Sequence, residues 1–354
     1  MRALSLRAGA GALRLLRERG LRAEDVDIMP GASGGAKWLA LAGLDRFLFG
    51  SFLDVHRVRP LHLIGSSIGS WRMACLAQRN PVAALDRGHH AYIHGQQYSK
   101  RPTTVEVTAV LNAVLAEMLG PNGVDEILSH PWARMHIITA QARGLANTLV
   151  RRRLGTALAA AAALNVAHRR TLSLHFRRVV FSNAGDDSPL RGLRGIGTRH
   201  ISLTRENLVD ALRASGSIPL VIDGVRIPSA PGGLHWDGGV TDYHLDLAFG
   251  TGEGLILYPH FYAHVVPGWF DKSLPWRRAR ATNFQRALLL SPSAEFVAKL
   301  PNQRIPDRRD FSTMTESQRI RTWETVRSAS TALGDELGDL IAGGRIAGRV
   351  DLWE

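Results

Sequence analysis

Cysteine is almost absent from this chain. A single one, Cys75, occurs among 354 residues, which excludes a disulfide scaffold and leaves no thiolate cluster for a structural metal site. Lysine is nearly as scarce, confined to Lys37, Lys100, Lys272 and Lys299, so 40 of the 44 basic residues are arginine. Long hydrophobic runs are missing too. The most apolar stretch, Leu154 to Ala167, is dominated by alanine and is shorter than the roughly 20 residues that cross a bilayer. The opening MRALSLRAGAGALRLLRERG is interrupted by arginine at 2, 7, 14, 17 and 19, so no apolar core of a secretory signal fits there. The expected location is cytoplasmic, with peripheral contact to a membrane left open. No linker rich in Pro, Gly or Ser and no fixed-period repeat divides the chain, so one domain is expected over 1–354, with an N-terminal extension over 1–25 and a helical C-terminal portion over 276–354.

What is present suffices for a large core: 45% of the residues are hydrophobic, which excludes intrinsic disorder. The formal net charge of +13 predicts attraction to anionic surfaces, phospholipid or nucleic acid. The arginine clusters at 151–153, 177–178, 277–278 and 308–309 are dispersed and lack the interleaved stacking aromatics of a nucleic-acid module, so no specific nucleic-acid partner is expected. Strand and helix alternate. A helix over 10–19 is followed by a strand at Val26–Met29, a glycine-rich turn and a helix from about Lys37 to Phe49. A strand at Leu61–Ile64 then runs through a second glycine turn into a helix from about Ser70 to Gln78. Further strands are predicted at Met135–Ala140, Leu174–Phe181 and Leu255–Tyr258, and further helices near 106–118, 155–168, 206–214 and 316–342. This order predicts an α/β fold with a mainly parallel sheet flanked by helices, and ligands of such sheets gather at the carboxyl ends of the strands.

Both glycine turns lie at such ends. In Gly65-Ser66-Ser67-Ile68-Gly69 an apolar strand leads into G-x-S-x-G and then into a helix, the context that lifts a nucleophilic Ser67 to the apex of a strained turn. The earlier turn, Gly31-Ala32-Ser33-Gly34-Gly35-Ala36-Lys37, contains a formal G-x-S-x-G centred on Ser33, which makes Ser33 a second candidate nucleophile. Its successive glycines free backbone N–H groups at Gly34, Gly35 and Ala36 to face an oxyanion, with the positive charge of Lys37 close by. A nucleotide-binding P-loop fails there, because Ala36 stands where glycine is required and Trp38 where Ser or Thr is required. The third element is Trp236-Asp237-Gly238-Gly239. Its acidic turn is either a hairpin or a carboxylate that takes a proton from a nucleophile, and Asp223-Gly224 competes for the same role.

In their order these motifs, together with Ala211-Leu-Arg-Ala214-Ser215-Gly-Ser-Ile218-Pro219, resemble the patatin-like phospholipases. The resemblance spans about residues 31 to 239. It implies a three-layer patatin-like α/β fold and a Ser-Asp dyad that cleaves lipid acyl esters without histidine or a cofactor. On that resemblance Ser67 is the nucleophile, flanked by Gly65 and Gly69 of the elbow. Asp237 is the base in an acidic turn with Gly238 and Gly239, and the amides around Gly34, Gly35, Ala36 and Lys37 form the oxyanion hole. The chain departs from the family after Asp237-Gly-Gly, where Asp242-Tyr243-His244 stands in place of Asn and Pro. The expected partner is a lipid acyl ester, on an anionic membrane surface if the enzyme is peripheral. The Arg-flanked segment 143–170 is expected either to cover an acyl-chain pocket or to touch anionic lipid.

Three alternatives stay open. A Ser-Asp-His triad of the α/β-hydrolase type would draw on His260 or His264, and an acyltransferase would pass the acyl group to an acceptor other than water. A non-enzyme would use the basic surface to bind nucleic acid or membrane. The histidine pairs His260/His264 and His90/His94 sit outside any H-E-x-x-H pattern, and no loop of alternating Asp or Asn is present, so no metal is expected.

Overall fold

The short leucine- and β-branched-rich runs assemble into one central sheet in the computed structural model, which describes residues 2–54, 57, 59–250 and 252–353. Its strands are β1 (Leu4–Ala8), β2 (Val26–Gly31), β3 (Leu61–Ser66), β4 (Ala133–Ala142), β5 (Phe176–Ser182), β6 (Thr198–Ser202), β7 (His235–Asp237), β8 (Leu255–Pro259), β9 (Ala287–Pro292) and β10 (Asp351–Leu352). They lie in the order β10-β1-β9-β8-β2-β3-β4-β5-β6, with β7 paired to β4. Most pairings are parallel; β1 with β9, β4 with β5 and β4 with β7 are antiparallel. The fold is therefore α/β, a mostly parallel sheet flanked by helices, as expected. The central strands β2 and β3 are buried along almost their whole length, the pattern of parallel strands covered on both faces.

Helix boundaries follow local chemistry. Asn80 accepts a hydrogen bond from the Ala83 amide ahead of Pro81–His94, which starts on proline, and Thr103 caps Thr104–Leu119, which ends at Gly120 with φ 61°. The helix expected over Lys37–Phe49 is instead a 3-10 segment over Gly35–Leu41, an α-helix over Ala42–Phe47 and a π-turn over Leu48–Phe52. The helix expected over 316–342 breaks at Ser330 into Glu316–Ala329 and Thr331–Ala342. The Ser330 hydroxyl donates to the Arg327 carbonyl and accepts from the Gly43 amide, so it satisfies backbone groups at the break and ties it to the neighbouring helix.

The two ends of the chain carry more sheet than composition suggested. Residues 1–25 supply β1, which lies between β10 and β9, and the helix Ala10–Arg19. The portion 276–354 is not only helical: it supplies β9, whose Ala287–Pro292 run is wholly buried, and the edge strand β10. The helix Arg151–Ala167 turns Leu154, Ala157, Leu158 and Ala161 into a satellite cluster with Phe176 and Trp236. No helix among the described residues is long and apolar enough to cross a membrane.

Candidate active site

β2 and β3 are neighbours in parallel register, with Gly31 beside Gly65, so their two glycine turns emerge side by side. They touch through backbone. A Cβ on Gly69 would lie 1.9 Å from the Gly31 carbonyl oxygen, an approach that only glycine permits. Ser67 stands between β3 and the helix Ile68–Leu76 with φ 57° and ψ −135°, a left-handed conformation costly for a residue with a Cβ and characteristic of a nucleophile elbow. Local bonds hold it there. The Ser67 amide donates to Ser215 Oγ at 2.9 Å, Ser215 Oγ donates to the Ile138 carbonyl at 2.7 Å, and Ser70 Oγ donates to the Ser67 carbonyl at 2.7 Å.

The acidic turn is brought to Ser67 by the segment Ser215–Pro219. The Asp237 amide donates to the Ser217 carbonyl at 2.8 Å and the Gly238 amide to the Ser215 carbonyl at 3.2 Å. As a result Ser67 Oγ donates to Asp237 Oδ2 at 2.6 Å, while Asp237 Oδ1 accepts from the Gly239 amide at 2.7 Å. Both side chains are buried. Burial raises the Asp237 carboxyl to about 6, against the opposing pull of Ser67, the Gly239 amide and the charge of Lys272. Such a carboxyl is mostly ionised at neutral pH yet basic enough to take a proton.

The amides of Gly34, Gly35 and Ala36 meet no hydrogen-bond acceptor among the described residues. Gly34 and Gly35 line a cavity with Ser67, and Gly35 and Ala36 line a second one with it. Gly35 has φ 55°, which opens the turn. Lys37 lines the first cavity, and its ammonium is paired with Asp307. Ser33 is placed differently from Ser67. Its hydroxyl donates to Ser66 Oγ at 2.9 Å and its amide to the Tyr243 carbonyl at 2.8 Å, and among the described residues it makes no hydrogen bond to a carboxylate.

Two cavities meet at Ser67. One, of about 150 Å³, is the more polar of the two and includes Asp237, Tyr243, Lys272, Asp307 and Arg308. The other, of about 210 Å³, is walled by Trp71, Tyr92, Val107, Leu111, Ile222 and Phe311. Lys272 Nζ lies 3.8 Å from the centre of the Tyr243 ring; although much of its side chain is exposed, desolvation lowers the ammonium to about 8. Tyr243 belongs to the Asp242-Tyr243-His244 departure that follows the acidic turn, whereas no motif marks Trp269, Lys272, Arg308 or Phe311 as site residues, since they reach the site from parts of the chain that a local pattern cannot connect to it.

Other expectations fall away from the site. No histidine contacts Asp237 among the described residues. His260 is buried and accepts from the Tyr262 amide at 2.9 Å, and burial lowers its ring to about 3. His264 lines neither cavity. His90 stacks on His94, which meets Glu324 at 3.1 Å, and Asp223 lies outside both cavities. Residues 143–170 line neither cavity at Ser67, so the expected cover over an acyl pocket is not there. Its helix packs sideways onto the satellite cluster because its small alanines fit against Trp236 and Phe176. Among the described residues no group of three or more His, Cys, Asp or Glu side chains is placed to hold a metal ion.

No family model and no curated protein matches the chain. Among solved structures it has a distant likeness to the crystal structure of type III effector protein ExoU, at 15% identity and a TM-score of 0.26, covering 92% of this chain and 61% of that one. The chain therefore spans about three fifths of that protein's length.

Proposed function

We propose that this protein is a patatin-like serine acyl hydrolase that cleaves carboxylic esters of lipids, of the phospholipase A or esterase type, through a Ser67-Asp237 dyad. The observation that carries the reading is the 2.6 Å hydrogen bond from Ser67 Oγ to Asp237 Oδ2 at a strained strand-to-helix turn. In the reaction Asp237 takes the Ser67 proton as Oγ attacks the ester carbonyl. The tetrahedral oxyanion is held by the amides of Gly34, Gly35 and Ala36. Asp237 then returns the proton to the departing alcohol, and a water deprotonated by the same carboxylate attacks the acyl-enzyme, Asp237 passing that proton to Ser67 Oγ as the acid is released.

The two cavities divide the substrate. The apolar one suits the acyl chain. The other, where Lys272 and Arg308 stand on the wall beside the paired Lys37 and Asp307, suits a leaving group that carries an anionic head group. The direct Ser-to-Asp contact, with His260 buried, bonded to Tyr262 and lining neither cavity, favours a dyad over a triad.

Labelling with a fluorophosphonate tests the reading. Wild type and Ser33→Ala are expected to label and to hydrolyse p-nitrophenyl esters, and folded Ser67→Ala and Asp237→Asn to do neither. A Ser67→Ala variant that still labels would overturn the assignment of the nucleophile. A folded wild type that neither labels nor hydrolyses would overturn the hydrolase.

A further inference from the structure

Away from Ser67 the molecule has a cavity of about 420 Å³ whose wall is built largely of arginine. Seven of its seventeen lining residues are arginine, against 40 in the 354 of the chain, so the general arginine bias does not account for it. The arginines form two tiers. In the inner tier Arg178 is buried and bound through both ends of its guanidinium to Asp242 at 2.6 Å. Arg169 meets Asp271 at 3.2 Å, and Arg277 donates to the Asn165 carbonyl at 2.8 Å. The outer tier is Arg170, Arg194, Arg278 and Arg280, all exposed. Their guanidinium groups make no ion pair and no hydrogen bond among the described residues. The one carboxylate in the cavity wall, Asp246, is already used: it accepts from Asn283 Nδ2 at 2.7 Å and from the Arg280 amide.

Four guanidinium groups without ion-pair partners around one concavity, offset only by the single carboxylate of Asp246, repel one another, and an anion placed among them removes that repulsion while using donors that are otherwise left to water. The planar fork of arginine fits phosphate oxygens in pairs. We propose that this cavity is a second, non-catalytic anion site that takes a phosphate group bearing more than one negative charge. A second feature bears on where such a phosphate comes from. Trp276, 64% exposed, precedes Arg277 and Arg278, and Arg277 also reaches the carbonyl of Val166, which is 49% exposed at the end of the helix Arg151–Ala167. Exposed apolar side chains next to residues of a basic cavity match the arrangement of a lipid head group beneath its acyl region. A free polyphosphate offers the same charge without needing those apolar neighbours.

The site also adjoins the wall of the candidate active site. Arg178 and Arg169 hold Asp242, the Thr241 carbonyl and the Pro267 carbonyl, and the Tyr243 amide donates to that same Pro267 carbonyl. Asp237, Thr241, Asp242 and Tyr243 lie in one continuous stretch of chain.

The test uses the full chain and does not depend on ester chemistry, since Ser67→Ala protein is expected to bind as wild type does. Co-sedimentation is measured with vesicles of phosphatidylcholine alone or doped with phosphatidic acid, and titration calorimetry with inorganic pyrophosphate. The combined Arg170→Ser, Arg194→Ser and Arg278→Ser variant is compared with Arg14→Ser, Arg17→Ser and Arg321→Ser, which removes the same charge from exposed positions elsewhere. The expected result is that wild type and the control bind alike while the cavity variant binds about tenfold or more weakly. Pyrophosphate that binds and displaces the protein from doped vesicles assigns a free anion to the site. Binding to doped vesicles without competition by pyrophosphate assigns a head group in a membrane. Equal weakening in the two triple variants means that net charge alone is responsible, and that result, or the absence of binding to either probe, overturns the proposal.

Discussion

Ser67 and Asp237 are separated by 170 positions in the chain and by 2.6 Å between Oγ and Oδ2. The contact places a carboxyl raised to about 6 by burial against the hydroxyl it is proposed to deprotonate. Because the ionised form is the base, kcat/KM on a neutral p-nitrophenyl ester is expected to rise with pH through about 6 and to level off above it. The charge of Lys272 pulls the carboxyl down, so Lys272→Met is expected to move the inflection to higher pH. A profile that stays flat across that range would remove Asp237 from the role of base.

The same carboxyl affects stability with a definite sign. A group whose folded value is raised binds its proton more tightly in the native state. Its contribution is therefore fully present below the unfolded value and is lost as pH rises through about 6. Folded Asp237→Asn cannot ionise, so its Tm relative to wild type is expected to climb between about pH 4 and pH 6 and then hold. The limit is about 3 kcal/mol. Thermal melts of both proteins across that range provide the check, and a constant difference would contradict it.

Gly69 and Gly31 touch through backbone, and a methyl group at Gly69 would meet the Gly31 oxygen at 1.9 Å and the Ala32 oxygen at 2.7 Å. Neither atom is on a flexible side chain. Gly69→Ala is expected to cost about 2–4 kcal/mol and to spoil the elbow. Gly155→Ala, in a helix interior with open space around its Cβ, is expected to stabilise by about 0.5–1 kcal/mol. Urea denaturation of the two variants distinguishes close packing from a general effect of losing glycine.

The apolar cavity gives a prediction for chain length. Leu111 lies on its wall with Trp71 and Phe311, and Leu111→Trp fills part of about 210 Å³. Over a series of p-nitrophenyl esters the optimum is expected to move to shorter chains. The ratio of long-chain to short-chain kcat/KM should fall about tenfold or more. An unchanged ratio would place the acyl chain elsewhere.

Arg178 and Asp242 form a buried pair immediately after the acidic turn. Arg178→Met leaves the buried Asp242 carboxylate with only the looser Arg169 contact at 3.9 Å and is expected to cost about 3 kcal/mol, whereas the double variant with Asp242→Asn recovers part of that loss. Chemical denaturation of the single and double variants measures the recovery. Equal losses would show that packing around Arg178, and not the pairing, sets the cost.

The α/β class was legible because it is written in short-range periodicity: apolar runs such as Leu61–Ile64 and Val26–Met29, each followed by glycines and a helix, need no knowledge of the rest of the chain. β1, β6, β7, β9 and β10 were not legible. β1, β6, β7 and β10 are short, and the buried run of β9 stands among segments that read as helix or loop, so their strand character depends on the partners they find in the sheet. The break at Ser330 was hidden for a related reason, since the Ser330 hydroxyl there accepts from Gly43 of a distant helix.

At the candidate site the sequence alone determined which residue types stand at the carboxyl ends of the strands. Ser67 in its elbow, the Gly34–Ala36 turn and the Asp237 turn are each local patterns whose backbone demands are met by neighbouring glycines. Tertiary structure alone decided which serine meets the carboxylate. It places Ser66 against Ser33 and Ser67 against Asp237, and it seats Lys272, Tyr243 and Phe311 around them. The reason is physical: conformation at a turn is set by a few adjacent residues, whereas burial, charge and hydrogen-bond partners are set by whatever the folded chain brings within a few ångströms.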